Sequence, residues 1–216
     1  MEEAKSQMKK KGQSDTGTNQ RWKIEPETLC RNYDPRRPPN VTHLLYEIRW
    51  GKSPKTWKNW CRSDRSHAEI NFLQNACEKI KNRKNMPCSI TWFLSWSPCG
   101  SCSHDIIEFL KAHPNVNLEI RAAQLFKHDK EHNRNGLRNL VNCGVKISIM
   151  HLPDYRYCWR TFVAHQKTHT DYWPWFFFPQ IMYYFQQLYF VLWNIKKTSE
   201  ICIRRNPNWW RFEHDL

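Results

Sequence analysis

Two periodicities alternate along the chain. Ile90-Thr91-Trp92-Phe93-Leu94 is a short apolar run, and Val116, Leu118 and Ile120 recur at every second position; both patterns predict strands, over Cys88–Ser95 and Val116–Ala122. Ile70, Leu73, Cys77 and Ile80 instead recur near a 3.6 period, which predicts a helix from His67 to about Asn82. The same reasoning gives a short helix over Pro26–Tyr33, with proline in its first turn and the proline-rich Asp34–Pro39 after it. Strands follow at Leu44–Trp50 and Thr56–Cys61, joined by a hairpin turn at Gly51-Lys52-Ser53-Pro54. Further on come a helix from Cys99 to Ala112, a helix over Glu131–Asn142, a strand at Val145–Ile149 and a helix from Asp154 to about His165. Strands alternating with helices imply a layered α/β domain.

The two ends read differently. Residues 1–20 are Lys, Gln, Ser, Gly and Thr with almost nothing to bury, so a disordered tail is expected. At the other end, twelve of the 22 residues from Tyr172 to Trp193 are aromatic. One small sheet cannot cover so many rings, so an exposed apolar surface for a partner is expected, against the plainer alternative of a last helix completing the core. Pro174, Pro179, Gln180, Gln186 and Gln187 interrupt this run, which argues against a membrane span. Three units result: a tail over 1–20, the layered α/β domain over 21–170, and an aromatic C-terminal helix and extension over 171–216.

Charge and cysteine content narrow the setting. The net charge is +14, and ten Lys or Arg against three acids fall between Arg49 and Lys84. Such a balance favours a polyanionic partner over a small neutral substrate, with a merely solvated face as the plainer alternative. Nine cysteines without a regular framework, behind a charged and polar start, suggest a reducing compartment, here the cytoplasm and nucleus. The sequon Asn40-Val41-Thr42 is then idle, and Gly51-Lys52-Ser53 lacks the earlier glycine of a phosphate-binding loop.

The candidate chemistry lies in two short stretches, His67-Ala68-Glu69 and Pro98-Cys99-Gly100-Ser101-Cys102. One imidazole and two thiols suit a zinc ion with a fourth position left for water, which is how catalytic zinc sites differ from closed structural ones. Cys99 and Cys102 sit at a helix start, where unpaired N–H groups and the helix dipole favour thiolate. Glu69 is close enough to handle protons without ligating the metal; alternatively it completes a capping box with Ser66. A lone C-x-x-C is weak evidence, but H-x-E followed by P-C-x-x-C is the signature of zinc nucleobase deaminases.

The run Ser95-Trp96-Ser97-Pro98-Cys99, the strand before it, Ile147-Ser148-Ile149-Met150 and Tyr157-Cys158-Trp159-Arg160-Thr161-Phe162 resemble the AID/APOBEC family of polynucleotide cytidine deaminases. Leu44-Leu45-Tyr46-Glu47-Ile48, Asn133–Arg138 and the aromatic C-terminus are most similar to its messenger-RNA-editing branch. The resemblance covers about residues 20–216. It implies a cytidine-deaminase-like fold, a five-stranded mixed sheet flanked by about six helices, with one Zn2+ per chain on His67, Cys99 and Cys102 and with Glu69 as general acid and base. It also implies that Thr42, Trp96, Ser97 and Phe126 meet the substrate. For Thr42, Trp96 and Phe126 the plainer alternatives are a strand-end threonine, a core tryptophan and a buried loop phenylalanine. Gln124 and Lys127 depart from the family's pattern and leave the preferred 5′ neighbour open. Asn59 is the only candidate for the family's sugar-orienting asparagine, and it lies further from His67 than usual.

The implied reaction is hydrolytic deamination of cytidine to uridine in single-stranded RNA or DNA, including messenger-RNA editing. The implied partners are the nucleic acid, an auxiliary RNA-binding protein and a second copy of the chain through the aromatic C-terminus. Two other readings remain: a deaminase of free cytidine nucleosides, and an RNA-binding or assembly protein whose zinc is structural.

Overall fold

Strands that are apolar on both faces need cover on both sides. The computed structural model describes residues 22–81, 83, 86–164, 172 and 174–193, without the side chains of 76–79 and 81, and it shows how that cover is supplied. Five strands pair in the order β2-β1-β3-β4-β5: β1 His43–Trp50, β2 Thr56–Arg62, β3 Cys88–Leu94, β4 Val116–Ala122 and β5 Lys146–Ile149. β1 runs antiparallel to β2 and β3, while β3–β4 and β4–β5 are parallel, so the sheet is mixed. The helices are α1 Pro26–Asn32, α2 Ala68–Lys81, α3 Gly100–Ala112, α4 Glu131–Asn142, α5 Leu152–Phe162 and, after a tight turn at Trp175–Phe177, α6 Phe178–Trp193.

Alternation along the strands sends neighbours to opposite faces. Leu44, Tyr46 and Ile48 pack with Phe72, Ile106, Phe109 and Leu140 on one side. Leu45 and Phe93 pack with Leu29, Tyr155, Phe162, Ile181 and Leu188 on the other. Register then decides where the chemistry falls. His43 pairs with Arg62, Leu44 with Leu94, and Leu94 with Ala122. The start of β1 and the ends of β2, β3 and β4 therefore lie at one end of the sheet, and the segments that carry Thr42, His67, Cys99 and Phe126 adjoin it.

The pattern-based elements are all present, and their ends differ for identifiable reasons. α2 starts at Ala68, whose N–H donates to Ser63 Oγ at 3.1 Å; the hydroxyl serving this turn belongs to Ser63, not to Ser66. β5 starts one residue late because the Val145 N–H closes the end of α4 on the Leu140 carbonyl. α5 starts at Leu152, two residues early, because Asp154 caps from its third position and accepts the His151 N–H at 2.8 Å. It ends at Phe162 because Ile24 takes over: the Ile24 N–H donates to the Phe162 carbonyl, and Ala164 returns the bond to Ile24. The expected tail, the extension beyond 193, the ends at Asn82 and His165, and the Cys77 side chain lie outside the described residues.

α3 and α4 approach closely, and two glycines allow it. A Cβ on Gly136 would lie 2.8 Å from the Gly100 Cα and from Ser103 Oγ; one on Gly100 would lie 2.3 Å from His132 Nε2. α6 is bound to this pair by the Arg138 guanidinium, which donates to the Val191 carbonyl at 2.8 Å. It buries Ile181, Leu188 and Val191 and exposes Phe178, Met182, Tyr183, Tyr189, Phe190 and Trp193, an outward apolar surface of the kind the aromatic density implies. Among the described residues no helix is long and apolar enough to cross a membrane.

Because the Gly136 contact is with backbone, which yields little, Gly136→Ala should lower unfolding free energy by about 1–3 kcal/mol, read as a shifted midpoint in urea denaturation.

Candidate active site

β3 ends at Leu94 and the chain turns sharply through Ser95–Pro98 into α3. The turn is held from inside: Ser95 Oγ accepts the His43 N–H at 2.9 Å, and the Ser95 N–H donates to the His43 carbonyl at 3.0 Å. Cys99 becomes the N-cap of α3, its sulfur accepting the Cys102 N–H at 3.4 Å. His67, just before α2, completes the group: its Nδ1 lies 3.2 Å from Cys102 Sγ and 3.6 Å from Cys99 Sγ. All three donor atoms lie within 4.8 Å of one another. A tetrahedral zinc with bonds of about 2.0–2.3 Å sets its donors about 3.5–3.8 Å apart, so this set fits the ion. Among the described residues the group of His, Cys and acidic donors comprises these three.

The electrostatics agree with that use. Cys99 is drawn down to about 5, first by the hydrogen bond from the Cys102 thiol and further by the Cys102 N–H and His67, so it is a ready thiolate. Cys102, the donor in that bond, is pushed up correspondingly. Glu69 is only 3 % exposed, in the first turn of α2. Burial pushes its carboxyl up to about 7, reinforced by the charge on Cys99 and opposed by its own backbone N–H, His67 and Cys102. A buried acid that changes protonation near neutrality, beside a metal-ligand set, is suited to moving a proton.

The other candidates fall into two groups. Trp96 and Phe126 are half-buried and meet edge to face, with centroids 5.9 Å apart, so two aromatic rings stand beside the metal turn. Thr42 lies half-buried just before β1, with its carbonyl accepting the Ser63 N–H at 2.8 Å. Ser97 is buried and ties two loops: its N–H donates to the Gln124 carbonyl at 2.8 Å, and its Oγ accepts the Phe126 N–H at 2.9 Å. Asn59 sits mid-strand in β2, opposite Tyr46, and its side-chain oxygen accepts the Trp60 N–H at 2.8 Å. Among the described contacts it has none with His67, Cys99 or Cys102.

Two buried amides whose bracing role the sequence pattern did not reveal organise this end of the fold. Gln124 donates to the carbonyls of Asp34 and Arg37 and accepts from the Tyr184 hydroxyl on α6. Asn133, on α4, accepts the Gly100 N–H and donates to the Phe126 and Lys127 carbonyls. The bonds join segments up to 90 residues apart, a separation that no local pattern encodes.

A family model described as APOBEC4-like AID/APOBEC deaminase matches residues 32–165. The Mus musculus protein named C->U-editing enzyme APOBEC-1 is 41 % identical over 187 residues, 87 % of this chain and 82 % of that protein. The Homo sapiens protein of the same name is 41 % identical over 194 residues, 90 % and 82 % of the two chains. A Felis catus protein named DNA dC->dU-editing enzyme APOBEC-3H is 30 % identical over 134 residues, 62 % and 69 %.

With its carboxyl at about 7 in the fold and 4.5 ordinarily, Glu69 favours the folded chain only while protonated. In chelator-treated protein its contribution should be complete below pH 4.5 and lost as pH rises through 7, a decline of up to about 3 kcal/mol. Glu69→Gln cannot ionise, so its unfolding free energy should lack that decline when both proteins are denatured across pH 4.5 to 8.

Proposed function

The chain belongs to the AID/APOBEC deaminase family, and on that premise we propose how its own residues convert cytidine to uridine in polynucleotides. The observation that carries the reading is a buried Glu69 carboxyl set against a three-donor His67, Cys99 and Cys102 group. The family is zinc-dependent, and His67 Nδ1 with the two sulfurs would hold one Zn2+ per chain. When bound there, the ion supplies the Lewis acidity that makes hydroxide available at neutral pH.

Glu69 does the proton work. Its carboxylate takes the proton released as water adds to C4 of the cytosine ring and delivers it to N3. It then takes the second water proton, from the C4 hydroxyl, and gives it to the exocyclic amine, which leaves as ammonia while the C4–O bond becomes a carbonyl. Each proton taken is returned, so the carboxyl ends as it began. A base inside a duplex cannot reach such a site, so the substrate is single-stranded with the target cytidine turned out. Trp96 and Phe126 offer faces for that base or its neighbour, each stack worth about 1–3 kcal/mol. Thr42 lies at the same end of the sheet and would border the sugar.

Relatives named for C->U editing and for DNA dC->dU editing support polynucleotide cytidine as the substrate; messenger RNA as the target is our proposal, with single-stranded DNA as a substrate of the same chemistry. We place this activity in the nucleus and cytoplasm, the reducing setting that nine cysteines without a regular framework favour. The exposed aromatic face of α6 supports docking of a second copy or of an auxiliary RNA-binding protein.

Glu69→Gln should keep near-stoichiometric zinc yet lose turnover by about 10²–10⁴-fold, measured as uracil formed in a single-stranded oligonucleotide. Retained turnover would remove Glu69 from the mechanism. Oligonucleotide affinity should also fall steeply between low and physiological salt, since each neutralised phosphate adds about 0.7 to the logarithmic slope for single strands.

A further inference from the structure

We infer that Asn133 is a positioning residue that holds the substrate-facing loop, residues 124–130, in register with the Cys99 turn, and that it thereby sets how strongly the enzyme selects the nucleotide beside the target cytidine. This rests on the deaminase reading above.

A primary amide offers one oxygen acceptor and two N–H donors. Asn133, 6 % exposed, uses both ends. Its Oδ1 accepts the Gly100 N–H at 2.9 Å, and its Nδ2 donates to the Lys127 carbonyl at 3.1 Å and the Phe126 carbonyl at 3.4 Å. The orientation of the amide is unambiguous, because a backbone N–H demands the oxygen and two carbonyls demand the nitrogen. Gly100 directly follows the metal-ligand candidate Cys99, and its N–H is one of the donors a helix start leaves without an internal partner. One side chain therefore ties the metal turn to two loop residues, Phe126 and Lys127.

The loop needs such a tie. Lys127 has φ of 38°, a left-handed backbone that a lysine does not favour, and its carbonyl is the one Asn133 captures. From the other side the Phe126 N–H is held by Ser97 Oγ. Between these two anchors the Phe126 ring is aimed at Trp96. Releasing one anchor leaves the chemistry of His67, Glu69, Cys99 and Cys102 in place and lets one wall of the substrate site drift. Asn133 can reach Gly100 only because Gly136 and Gly100 let α3 and α4 close up.

Asn133→Asp separates the two tasks. Its carboxylate still accepts the Gly100 N–H but gives the loop no donor and faces two carbonyls. The parent and this variant are assayed on four single-stranded oligonucleotides that differ only in the base 5′ to one cytidine, alongside zinc content and amide hydrogen exchange. Parental zinc is expected, with kcat on the best oligonucleotide changed less than KM. The spread of kcat/KM across the four should shrink about tenfold or more, since both hydrogen bonds to the loop are lost. The amides of residues 126–130 should exchange faster. An unchanged spread, or unchanged exchange in that loop, would overturn the proposal, as would a loss of zinc in step with activity, which marks a general structural role. Asn133→Ala, which favours the helix, is read in the same way if the aspartate variant does not fold. A parent that forms no uracil on any of the four sinks the deaminase reading instead, and the exchange measurement still decides whether Asn133 holds the loop.

Discussion

Two groups that prefer negative charge, the Cys99 sulfur and the Glu69 carboxyl, share one largely buried spot, and their repulsion is part of what lifts Glu69 toward neutrality. Much of the local architecture answers that conflict. Cys99 caps α3 and Glu69 lies in the first turn of α2, so both stand at the positive ends of helices. A divalent cation between the sulfurs and the imidazole would quiet the conflict further without neutralising the carboxyl that the chemistry needs. Burial is the first cause of the lift that leaves Glu69 changing protonation near pH 7 in the metal-free chain.

Bringing those two helix ends together is a matter of strand register. β1 is antiparallel to β2 and β3, and β3 is parallel to β4, so four strand ends converge where α2, α3 and the 124–130 loop leave the sheet. The cross-ties at that end are made by small polar groups: Ser95 to His43, Ser97 to Phe126, Asn133 to Gly100. Each satisfies backbone groups that the turns leave unpaired, which in a buried place cost about 1–3 kcal/mol apiece if orphaned.

What is legible in the sequence follows from this division. Metal ligation and proton transfer demand particular residue types at fixed spacing, so His67, Glu69, Cys99 and Cys102 stand out from the order of residues by itself. The strands and helices stand out because burial imposes a period. Helix ends are harder wherever a distant segment intervenes: nothing near Phe162 announces that Ile24 will take its carbonyl. Asp154 is different, because its capping bond is local; an acid reads equally well at the first or the third position of a helix, and only the third matches the bond to His151. Ser66 is the cap that spacing suggests for α2, and only the path of the chain brings Ser63 to the Ala68 N–H instead. Gln124 and Asn133 are illegible because a polar residue in a loop or an amphipathic helix usually faces water, and only tertiary packing turns these two inward.

The bond between Tyr184 and Gln124 has an effect on how the C-terminal helix can be regarded. α6 sits in the same core as Leu45, Phe93 and Tyr155, and its tyrosine finishes the bonding of an amide that also braces the 34–37 segment. A chain severed ahead of Phe178 would bare the underside of the sheet and leave that amide with an unmet oxygen. The deaminase fold and the exposed aromatic face are thus inherited as one piece: selection cannot discard the helix that carries those rings without also loosening the bonds that Gln124 makes.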